Sequence, residues 1–383
     1  MLRYLTAGET HGKCLIAIIE GVPSNVYIDI EKINKQLALR QSGYGRGGRM
    51  QIEKDTVEIL SGIRDKKTLG SPITLKIQNK DWENWKHIMC DGEIIHERVV
   101  SKPRPGHADL TGALKYHHYD IRNVLERASA RETAIRVAVG SLICQFIENF
   151  DISIMSHVVE IGHIKSCASW QDTHFSQNIK NSQLRCADTT AEKKMIEYID
   201  EMKKQGDSVG GIFEVIVTGL PAGLGSYVHW DRKLDAKIAA SLMSIQAIKG
   251  VEFGLGFNSA RLPGSKVHDE IFWSEQQGYF RKTNHAGGIE GGMTNGEPLI
   301  VRAAMKPIPT LYKPLKSVDI ITKESYEASI ERSDICAVPA ASIVGEATVA
   351  WEVASSLIEK FGGDSLQEIQ DNYRNYRKSI QNR

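Results

Sequence analysis

Two histidine-containing segments have the composition of loops that perform chemistry. Gly8-Glu9-Thr10-His11-Gly12 is a polar, glycine-flanked turn before a predicted buried strand, and its histidine can exchange a proton with a ligand near neutral pH. Lys102-Pro-Arg-Pro-Gly-His-Ala-Asp109 places two prolines and a glycine around Arg104 and His107, and a rigid loop of this kind positions side chains well. For each segment taken alone, a surface turn without function is the alternative.

Arginines and glycines are concentrated in residues 39–50. This segment contains Arg40, Arg46 and Arg49 together with four glycines and no acidic residue. Because guanidinium groups bind carboxylate or phosphate in a bidentate manner, and glycine permits close backbone approach, the segment predicts an anion-binding loop. A solvated loop and an RNA-contacting Arg-Gly segment are the alternatives, whereas the residue order of a mononucleotide phosphate loop is absent.

Arg127 and Arg131 stand near the start of a helix that the apolar pattern predicts from Ser129 to about Phe150. Cations at a helix N-terminus oppose the helix dipole. Either a bound phosphate at Ser129 and the neighbouring amides, or pairing with Glu126 or Glu132, would compensate for them.

Two later segments complete the candidate site. The glycine-dense passage from His285 to Gly296, followed by Lys306-Pro-Ile-Pro-Thr310, indicates backbone that lies close to a flat or polyanionic ligand. The segment from Glu331 to Ala341 contains Arg332 and Asp334, which a plain ion pair would also explain. If the segments converge, they form an electropositive site with groups for proton transfer. The residues concerned are Arg40, Arg46, Arg49, Arg104, Arg127, Arg131, Arg332, His11, His107 and Asp334.

Local patterns predict the elements that position these segments. Asp29 can cap a helix with Ile30, Ile33 and Leu37 on its inner face, and Thr189 and Glu192 form a capping box for a helix that stops at Gly206. Strands and helices mix without a regular βαβ rhythm, which favours an α+β architecture. The predicted strands are Cys14–Glu20 and Gly211–Leu220, and the predicted helices are Asp29–Leu39, Ser129–Phe150, Thr189–Gln205, Leu234–Ile248, Glu346–Phe361 and a polar C-terminal helix capped by Ser365 and Glu368.

Composition excludes several classes of protein. In 383 residues, 48 Lys+Arg against 47 Asp+Glu leave a formal charge of +1, so a basic coat for nucleic acid is not expected. No apolar run approaches the roughly 20 residues of a membrane-spanning helix, and no secretion signal is visible, so we expect a cytoplasmic protein. Six scattered cysteines without a CxxC pair fit neither a disulfide framework nor a metal site, and no histidine spacing predicts one. We expect one elaborate domain over residues 1–361 and a polar helical tail at 362–383.

Six motifs, in this order, resemble the chorismate synthase family. They are GETHG at 8, RQSGYGRGGR at 40, RPGHAD at 104, RASARETA at 127, MSIQAIKGVEFG at 243 and ERSDICAVPAA at 331. The resemblance runs from Gly8 to about Glu359 and is more specific than any single motif.

The resemblance implies an activity and a cofactor. Members convert 5-enolpyruvylshikimate-3-phosphate to chorismate and phosphate, the last step of the shikimate pathway, by a trans 1,4-elimination that requires reduced flavin mononucleotide without net redox change. The substrate carries two carboxylates and a phosphate, which is the polyanion that the arginines predict. The resemblance also implies a fold in which helices are sandwiched between antiparallel sheets, and assembly as a homotetramer.

Residue roles follow from the resemblance, position by position. His11 would protonate the departing phosphate, His107 would stabilise the anionic reduced flavin, and Asp334 would accept the flavin N5 proton. At position 246, Gln stands where relatives often have Asn, which retains an amide with a different reach. Substrate would be held by Arg40, Arg46, Arg49, Arg104 and Arg131. The flavin would be held by Arg127, Ala128, Ser129, Gln246, Ala247, Gly291, Lys306, Pro307, Ile308, Pro309, Thr310 and Arg332.

Two other classes of protein compete with this interpretation. A nicotinamide-dependent oxidoreductase would use the glycine loops, but no strand-GxGxxG-helix unit supports it. Arg40 and Arg46 are positioned by resemblance for contact with NADPH, yet no spare domain exists for that donor, so we expect an external flavin reductant with NADPH acting only indirectly. A non-catalytic RNA-binding protein would use the Arg-Gly segment and would show salt-sensitive RNA binding without flavin affinity.

Overall fold

Two antiparallel sheets enclose a layer of helices in the computed structural model, which describes residues 1–47, 54–89, 99–328 and 334–381. The strands are β1 (Arg3–Ala7), β2 (Cys14–Glu20), β3 (Val57–Ser61), β4 (Ile63–Arg64), β5 (Lys67–Thr68), β6 (Ile73–Gln78), β7 (Ser153–Ile161), β8 (Ile164–Lys165), β9 (Gly211–Thr218), β10 (Ile248–Phe253), β11 (Ile271–Ser274), β12 (Gly278–Arg281), β13 (Ile289–Glu290), β14 (Met293–Thr294), β15 (Leu299–Met305), β16 (Lys316–Val318) and β17 (Ser325–Glu327). The helices are α1 (Ile30–Gln41), α2 (Trp82–Met89), α3 (Asp109–Tyr116), α4 (Arg122–Ala128), α5 (Thr133–Ile147), α6 (Phe175–Asn181), α7 (Thr189–Gln205), α8 (Leu234–Met243), α9 (Val338–Phe361) and α10 (Leu366–Gln381).

The layer order explains which helices are buried on all sides. One sheet has the strand order β1-β2-β6-β3 and the other the order β10-β15-β9-β7-β8. Helix α5 packs against β2, β6 and α9, and α9 packs against β7 and β9, so both helices lie between the sheets. Helices α5 and α9 can cross closely because Gly140 of α5 has no side chain. A Cβ there would collide with the backbone of Ala347 in α9. The predicted α+β sandwich of helices between antiparallel sheets is confirmed.

Several predicted elements are also confirmed. Strand β2 has the predicted bounds, and α1 follows Asp29, whose side chain accepts a hydrogen bond from the Glu31 N–H at 3.0 Å. Ile33 and Leu37 are buried as predicted. Ile30 is 40% exposed, contrary to prediction, because it lies in the open first turn of the helix.

Helix boundaries account for most of the corrections. The helix predicted from Ser129 begins as α5 at Thr133, after a 3₁₀ turn at Ala130–Glu132. Helix α7 has its predicted span and its stop at Gly206, but its N-cap is Asp188, which accepts from the Thr190 and Ala191 N–H groups. The predicted capping box is therefore wrong, because Glu192 accepts a hydrogen bond from the Ser182 hydroxyl instead.

Two other helices differ in length from the prediction. Helix α8 ends at Met243 rather than Ile248, because the chain turns at Ala247, with a φ of 68°, and enters β10. Helix α9 starts at Val338 rather than Glu346, with a proline in its first turn, and small residues allow it to pack tightly there.

The C-terminal helix packs by one face. Ser365 and Glu368 form the predicted cap of α10, with the Ser365 hydroxyl 2.9 Å from the Glu368 carboxylate. Ile369 is buried, and the Tyr373 ring makes edge contacts with Phe150 and Phe361. Among the described helices, none has the length and apolar character needed to cross a membrane.

Candidate active site

His11 is held by a carboxylate from a distant helix. In the turn between β1 and β2, its backbone N–H donates to Glu126 Oε2 at 2.9 Å, and its ring Nδ1 is 2.8 Å from Glu126 Oε1. The Trp85 ring stacks on the imidazole with a centroid separation of 4.0 Å. Burial alone would raise the pKa of Glu126, but the hydrogen bonds from His11 lower it below its usual value. The pairing keeps Glu126 ionised and fixes the orientation of the imidazole.

An arginine cluster lies beside this turn. Arg131 Nη1 is 2.7 Å from both carboxylate oxygens of Asp55, and its other nitrogens donate to Asn79 Oδ1. Asn79 also donates to the carbonyl oxygens of Glu9 and Gly12, which flank His11. The cluster therefore supports the histidine turn directly.

Arg40 joins the same cluster from the end of α1. Its Nε donates to the Thr133 hydroxyl at 2.9 Å, while Nη1 is 3.7 Å from Asp55 Oδ2 and has no hydrogen-bond partner among the described residues. Burial, together with the charges of Arg131 and Arg46, lowers the pKa of Arg40 to about 10 although Asp55 opposes the shift. A buried guanidinium group whose Nη1 has no hydrogen-bond partner among the described residues fits an anion-binding site.

Arg46 and Asp334 form an ion pair at the end of the arginine-rich segment. Arg46 Nη1 is 2.5 Å from Asp334 Oδ2, and the Gly47 N–H donates to Asp334 Oδ1 at 2.6 Å. The charge of Arg46 lowers the pKa of Arg40 and that of Asp334 raises it, so both groups contribute to the electrostatics of the cluster. Asp334 therefore binds an arginine of the 39–50 segment.

His107 is held locally within its own loop. Its Nδ1 contacts Asp109 Oδ1, and Arg104 donates from Nε to Asp109 Oδ2 at 2.8 Å and from its backbone N–H to the same oxygen at 3.0 Å. Burial alone would raise the pKa of Asp109, but the hydrogen bonds from His107 and Arg104 lower it well below its usual range. The loop is braced by the β16–β17 hairpin, because the Ser317 and Tyr326 hydroxyls donate to the Pro103 carbonyl oxygen.

The segment Lys306–Thr310 touches the His107 loop. Lys306 Nζ donates to the Gly106 carbonyl oxygen at 2.6 Å, and its backbone N–H donates to the Ala247 carbonyl oxygen at 2.9 Å. Next to Ala247, the side-chain Oε1 of Gln246 is buried and has no hydrogen-bond partner in the described part of the chain. Gly291 lies at the β13–β14 turn, where a Cβ would meet nothing within 4 Å. Lys306 therefore joins the His107 loop to the Gln246–Ala247 turn, whereas Gly291 lies beside the start of α8, where the Leu234 N–H donates to the neighbouring Gly292 carbonyl oxygen at 2.9 Å.

Arg127 and Ser129 take local roles at the end of α4. Arg127 donates to the carbonyl oxygens of Thr6 and Gly8, both at 3.1 Å, and so braces the strand that leads into the His11 turn. Ser129 accepts from the Arg131 N–H at 3.3 Å. Ala128 is the last residue of α4.

Contacts between elements link the clusters to one another. A Cβ on Gly112 of α3 would collide with the Val124 side chain of α4, so the helix that begins at Asp109 packs against the helix that carries Glu126. The Ser208 hydroxyl donates to the Ile308 carbonyl oxygen at 2.7 Å, and Ile335, next to Asp334, accepts from the adjacent Val209 N–H at 2.9 Å. Two cavities formed by the described residues, of about 280 and 800 Å³, are lined by none of the predicted site residues, although the larger one borders Leu39, Ser42 and Gly43 of the arginine-rich segment.

Sequence reasoning missed the partners of these residues. Pairing of Arg131 with Glu126 or Glu132 is wrong, because the carboxylate that compensates for Arg131 is Asp55, 76 residues away. Glu126 and Trp85 carried no signal for His11, whereas Asp109 lies inside the RPGHAD motif and its spacing from His107 was a usable clue. Arg49 and Arg332 fall outside the described residues.

The geometry is typical of an enzyme that binds an anionic ligand and transfers protons to or from it. The chain belongs to the chorismate synthase family, whose model, described as "Chorismate synthase", matches residues 2–358. It is 62% identical over 375 residues to a chorismate synthase of Desulforamulus reducens, with 96% of each chain covered. It is 60% identical over 380 residues to that of Alkaliphilus metalliredigens, with 98% of this chain and 99% of the relative covered. A solved structure titled "Crystal Structure of Chorismate Synthase" superposes with a TM-score of 0.81 at 45% identity, covering 100% of this chain and 99% of that one.

Proposed function

We propose that this chain catalyses the trans 1,4-elimination of phosphate from 5-enolpyruvylshikimate-3-phosphate to give chorismate, with reduced flavin mononucleotide as cofactor. The observation that carries the proposal is the cluster of Arg40, Arg46 and Arg131 beside the His11 turn in a chain that matches the family over residues 2–358. A substrate with two carboxylates and a phosphate provides acceptors for several guanidinium groups at once.

The residues on the Lys306 side fit the flavin. Gln246 Oε1 is a buried acceptor without a partner among the described residues, and the pyrimidine part of a flavin brings an N–H donor. Gly291 is retained as a flavin contact by the resemblance alone. Gln246, Ala247, Lys306 and the 307–310 segment would hold the flavin with Arg127, Ala128 and Ser129. Bound in reduced form, this cofactor supplies electron density that stabilises positive charge on the substrate and a basic nitrogen for the ring proton.

His11 would act on the leaving group. Its imidazole is fixed by Glu126 and Trp85, with a side chain that is 12% exposed, so it can meet a bound ligand while remaining oriented. In the charged form it donates a proton to a phosphate oxygen as the C–O bond breaks. Arg40 and Arg131 would hold the anionic substrate and keep the departing phosphate in reach.

His107 and Asp334 would serve the flavin side. The Asp109 carboxylate contacts Nδ1 of His107 and orients the ring, and an imidazolium group there would stabilise a neighbouring anion. Asp334 would accept a proton once ligands loosen its pairing with Arg46. Arg104, which also pairs with Asp109, would bind an anionic group of the substrate.

We also propose a homotetramer in the cytoplasm. Apolar residues on the outer face of the first sheet support association, since Leu5 is 73% exposed and its cross-strand partner Ile18 is 48% exposed. The described cysteines are free thiols, which fits a reducing compartment. Light scattering of the purified protein tests the assembly, and a monomer at micromolar concentration would contradict it.

An anaerobic assay tests the activity. The protein is incubated with dithionite-reduced flavin mononucleotide and 5-enolpyruvylshikimate-3-phosphate, and chorismate and inorganic phosphate are measured together. Equal amounts of both products, formed only with reduced flavin, are expected. Consumption of NADPH without phosphate release would support an oxidoreductase instead.

A further inference from the structure

Glu126 binds His11 through two separate N–H groups. Its side chain is 2% exposed, and its two oxygens lie 2.9 Å from the backbone nitrogen and 2.8 Å from Nδ1 of the same histidine. The Glu126 carbonyl oxygen also accepts from the Thr10 N–H and hydroxyl, at 3.0 and 2.8 Å. Four contacts from one residue of α4 thus hold both the backbone and the ring of the turn.

Among the residues that the structure describes, the other groups that face the imidazole come from two elements. Asp81 Oδ2, in the segment between β6 and α2, is 4.0 Å from Nε2 and accepts from the Trp85 Nε1–H at 3.0 Å. Arg122 of α4 donates to Glu126 Oε1 at 3.3 Å, and its guanidinium lies 5.0 Å from the Trp85 ring centroid. In the described part of the chain, Glu126 is the acidic group closest to Nδ1 and Asp81 is the one closest to Nε2.

We propose that Glu126 is a positioning residue that fixes the tautomer of His11, so that Nδ1 keeps its proton and Nε2 is the nitrogen that delivers a proton to the substrate. The inference rests on the proposed function. The Nε2–H bond breaks and a phosphate O–H bond forms as the phosphate leaves with the C–O electron pair. The imidazole then becomes neutral with its remaining proton on Nδ1, donated to Glu126, and a solvent proton on Nε2 restores the charged form.

The opposite tautomer is disfavoured by the geometry. It would place the Nδ1 lone pair 2.8 Å from a carboxylate oxygen, where two acceptors repel each other in a site shielded from water. The hydrogen bonds from His11 hold the pKa of Glu126 below its usual value, so the carboxylate is ionised at neutral pH. A buried carboxylate behind Nδ1 sets ring orientation and tautomer in other histidine sites as well.

Glu126→Gln separates this role from simple packing. Glutamine has the same shape but only one oxygen at the two positions, and since each donor of His11 now meets a different oxygen, glutamine can accept from only one of them in this geometry. If its oxygen keeps the backbone contact, its NH₂ group faces Nδ1, and the ring must then carry its proton on Nε2. Glu126→Asp retains two acceptor oxygens on a shorter side chain and should preserve the tautomer.

Nitrogen-15 NMR of histidine-labelled protein at about pH 9 reads the tautomer of the neutral ring, well above the ordinary histidine pKa of about 6.5. The His11 signals are assigned by their loss in His11→Gln. We expect Nδ1–H in the wild type and Glu126→Asp, and a shift toward Nε2–H in Glu126→Gln. In parallel, kcat of Glu126→Gln should fall at least about 10-fold with KM changed less than about 3-fold, and Glu126→Asp should recover part of kcat.

A second buried histidine–glutamate pair provides the matched control. Glu214 lies 3.1 Å from His157 Nε2 in the other sheet, so Glu214→Gln removes a similar carboxylate far from the His11 turn. It should leave the His11 signals unchanged and kcat within about 3-fold. Nε2–H in the wild type, or an unchanged tautomer in Glu126→Gln, would overturn the inference. A wild type that shows Nδ1–H but forms no chorismate would instead overturn the proposed function.

Discussion

His11 and His107 each pair with a carboxylate through Nδ1, but the two carboxylates differ in how far along the chain they lie from the histidine. The carboxylate of Glu126 comes from 115 residues away, whereas Asp109 lies two residues beyond His107 and is clamped by Arg104 in the same loop. The His11 site therefore exists only when α4 packs beside the β1–β2 turn, while the His107 loop carries its own partners. A change in the surrounding fold should disturb His11 more than His107.

The largest effects should come from removal of either imidazole. His11→Ala or His107→Ala should lower turnover at least about 10-fold while substrate still binds, because general acid–base groups contribute on the order of 10² to 10⁴ each. Single-turnover kinetics and substrate binding by calorimetry measure the two effects separately. The exposed His163 supplies the control, and His163→Ala should stay within about 2-fold. Unchanged turnover in either site variant would remove that histidine from the mechanism.

The pH dependence of the unfolding free energy tests whether Asp109 is ionised in the folded protein. The folded-state pKa of Asp109 lies below the unfolded value of about 3.9, so its contribution to stability is complete above about pH 5 and is lost as the pH falls through the folded pKa. Asp109→Asn should therefore cost about 1–3 kcal/mol of unfolding free energy at pH 7 and progressively less below about pH 4.

Urea denaturation of the wild type and Asp109→Asn across this range measures the difference. Asp371→Asn, at an exposed position of α10, is a control that should change stability by less than about 0.5 kcal/mol. A cost for Asp109→Asn that stays constant from pH 7 to pH 3 would contradict an ionised Asp109.

Arginine-to-lysine changes sharpen the contrast between the two sites. Arg104 binds Asp109 through Nε and its backbone N–H, with Nη2 at 3.2 Å from the second oxygen, whereas Arg122 contacts Glu126 through one nitrogen at 3.3 Å. Lysine cannot reproduce the fork of Arg104. We expect kcat/KM to fall about 10-fold in Arg104→Lys and about 3-fold or less in Arg122→Lys. Steady-state assays of both variants measure these ratios. Equal losses of kcat/KM would contradict the expectation that Asp109 depends more strongly on its arginine than Glu126 does.

The smallest effect should come from the aromatic ring beside His11. Trp85→Phe keeps a flat ring but loses the indole N–H that donates to Asp81, so the imidazole should be less firmly held. Turnover should fall about 2- to 5-fold with the His11 tautomer unchanged. Trp273→Phe on the exposed β11 strand is the control. A loss as large as that of His11→Ala would assign Trp85 a direct part in the chemistry.

The sequence predicts the repeating features of the fold and the motifs, but not the long-range pairs. Helix α7 and strand β2 follow from apolar periodicity and a glycine stop, because both depend on neighbouring residues. Helix α8 was predicted too long because β10 pairs with β15 beyond Ala247, which a local pattern does not reveal. Likewise, Asp55 is an ordinary acid in the sequence, and only folding places its carboxylate on Arg131.

A structure of the protein with reduced flavin mononucleotide and 5-enolpyruvylshikimate-3-phosphate bound tests most directly whether the arginines and both imidazoles serve one site. We expect Nε2 of His11 at hydrogen-bonding distance, about 3 Å, from a phosphate oxygen, with Nδ1 still on Glu126 and the His107 ring against the flavin. Ligands bound away from either histidine, with no contact to Arg40 or Arg131, would contradict a common site.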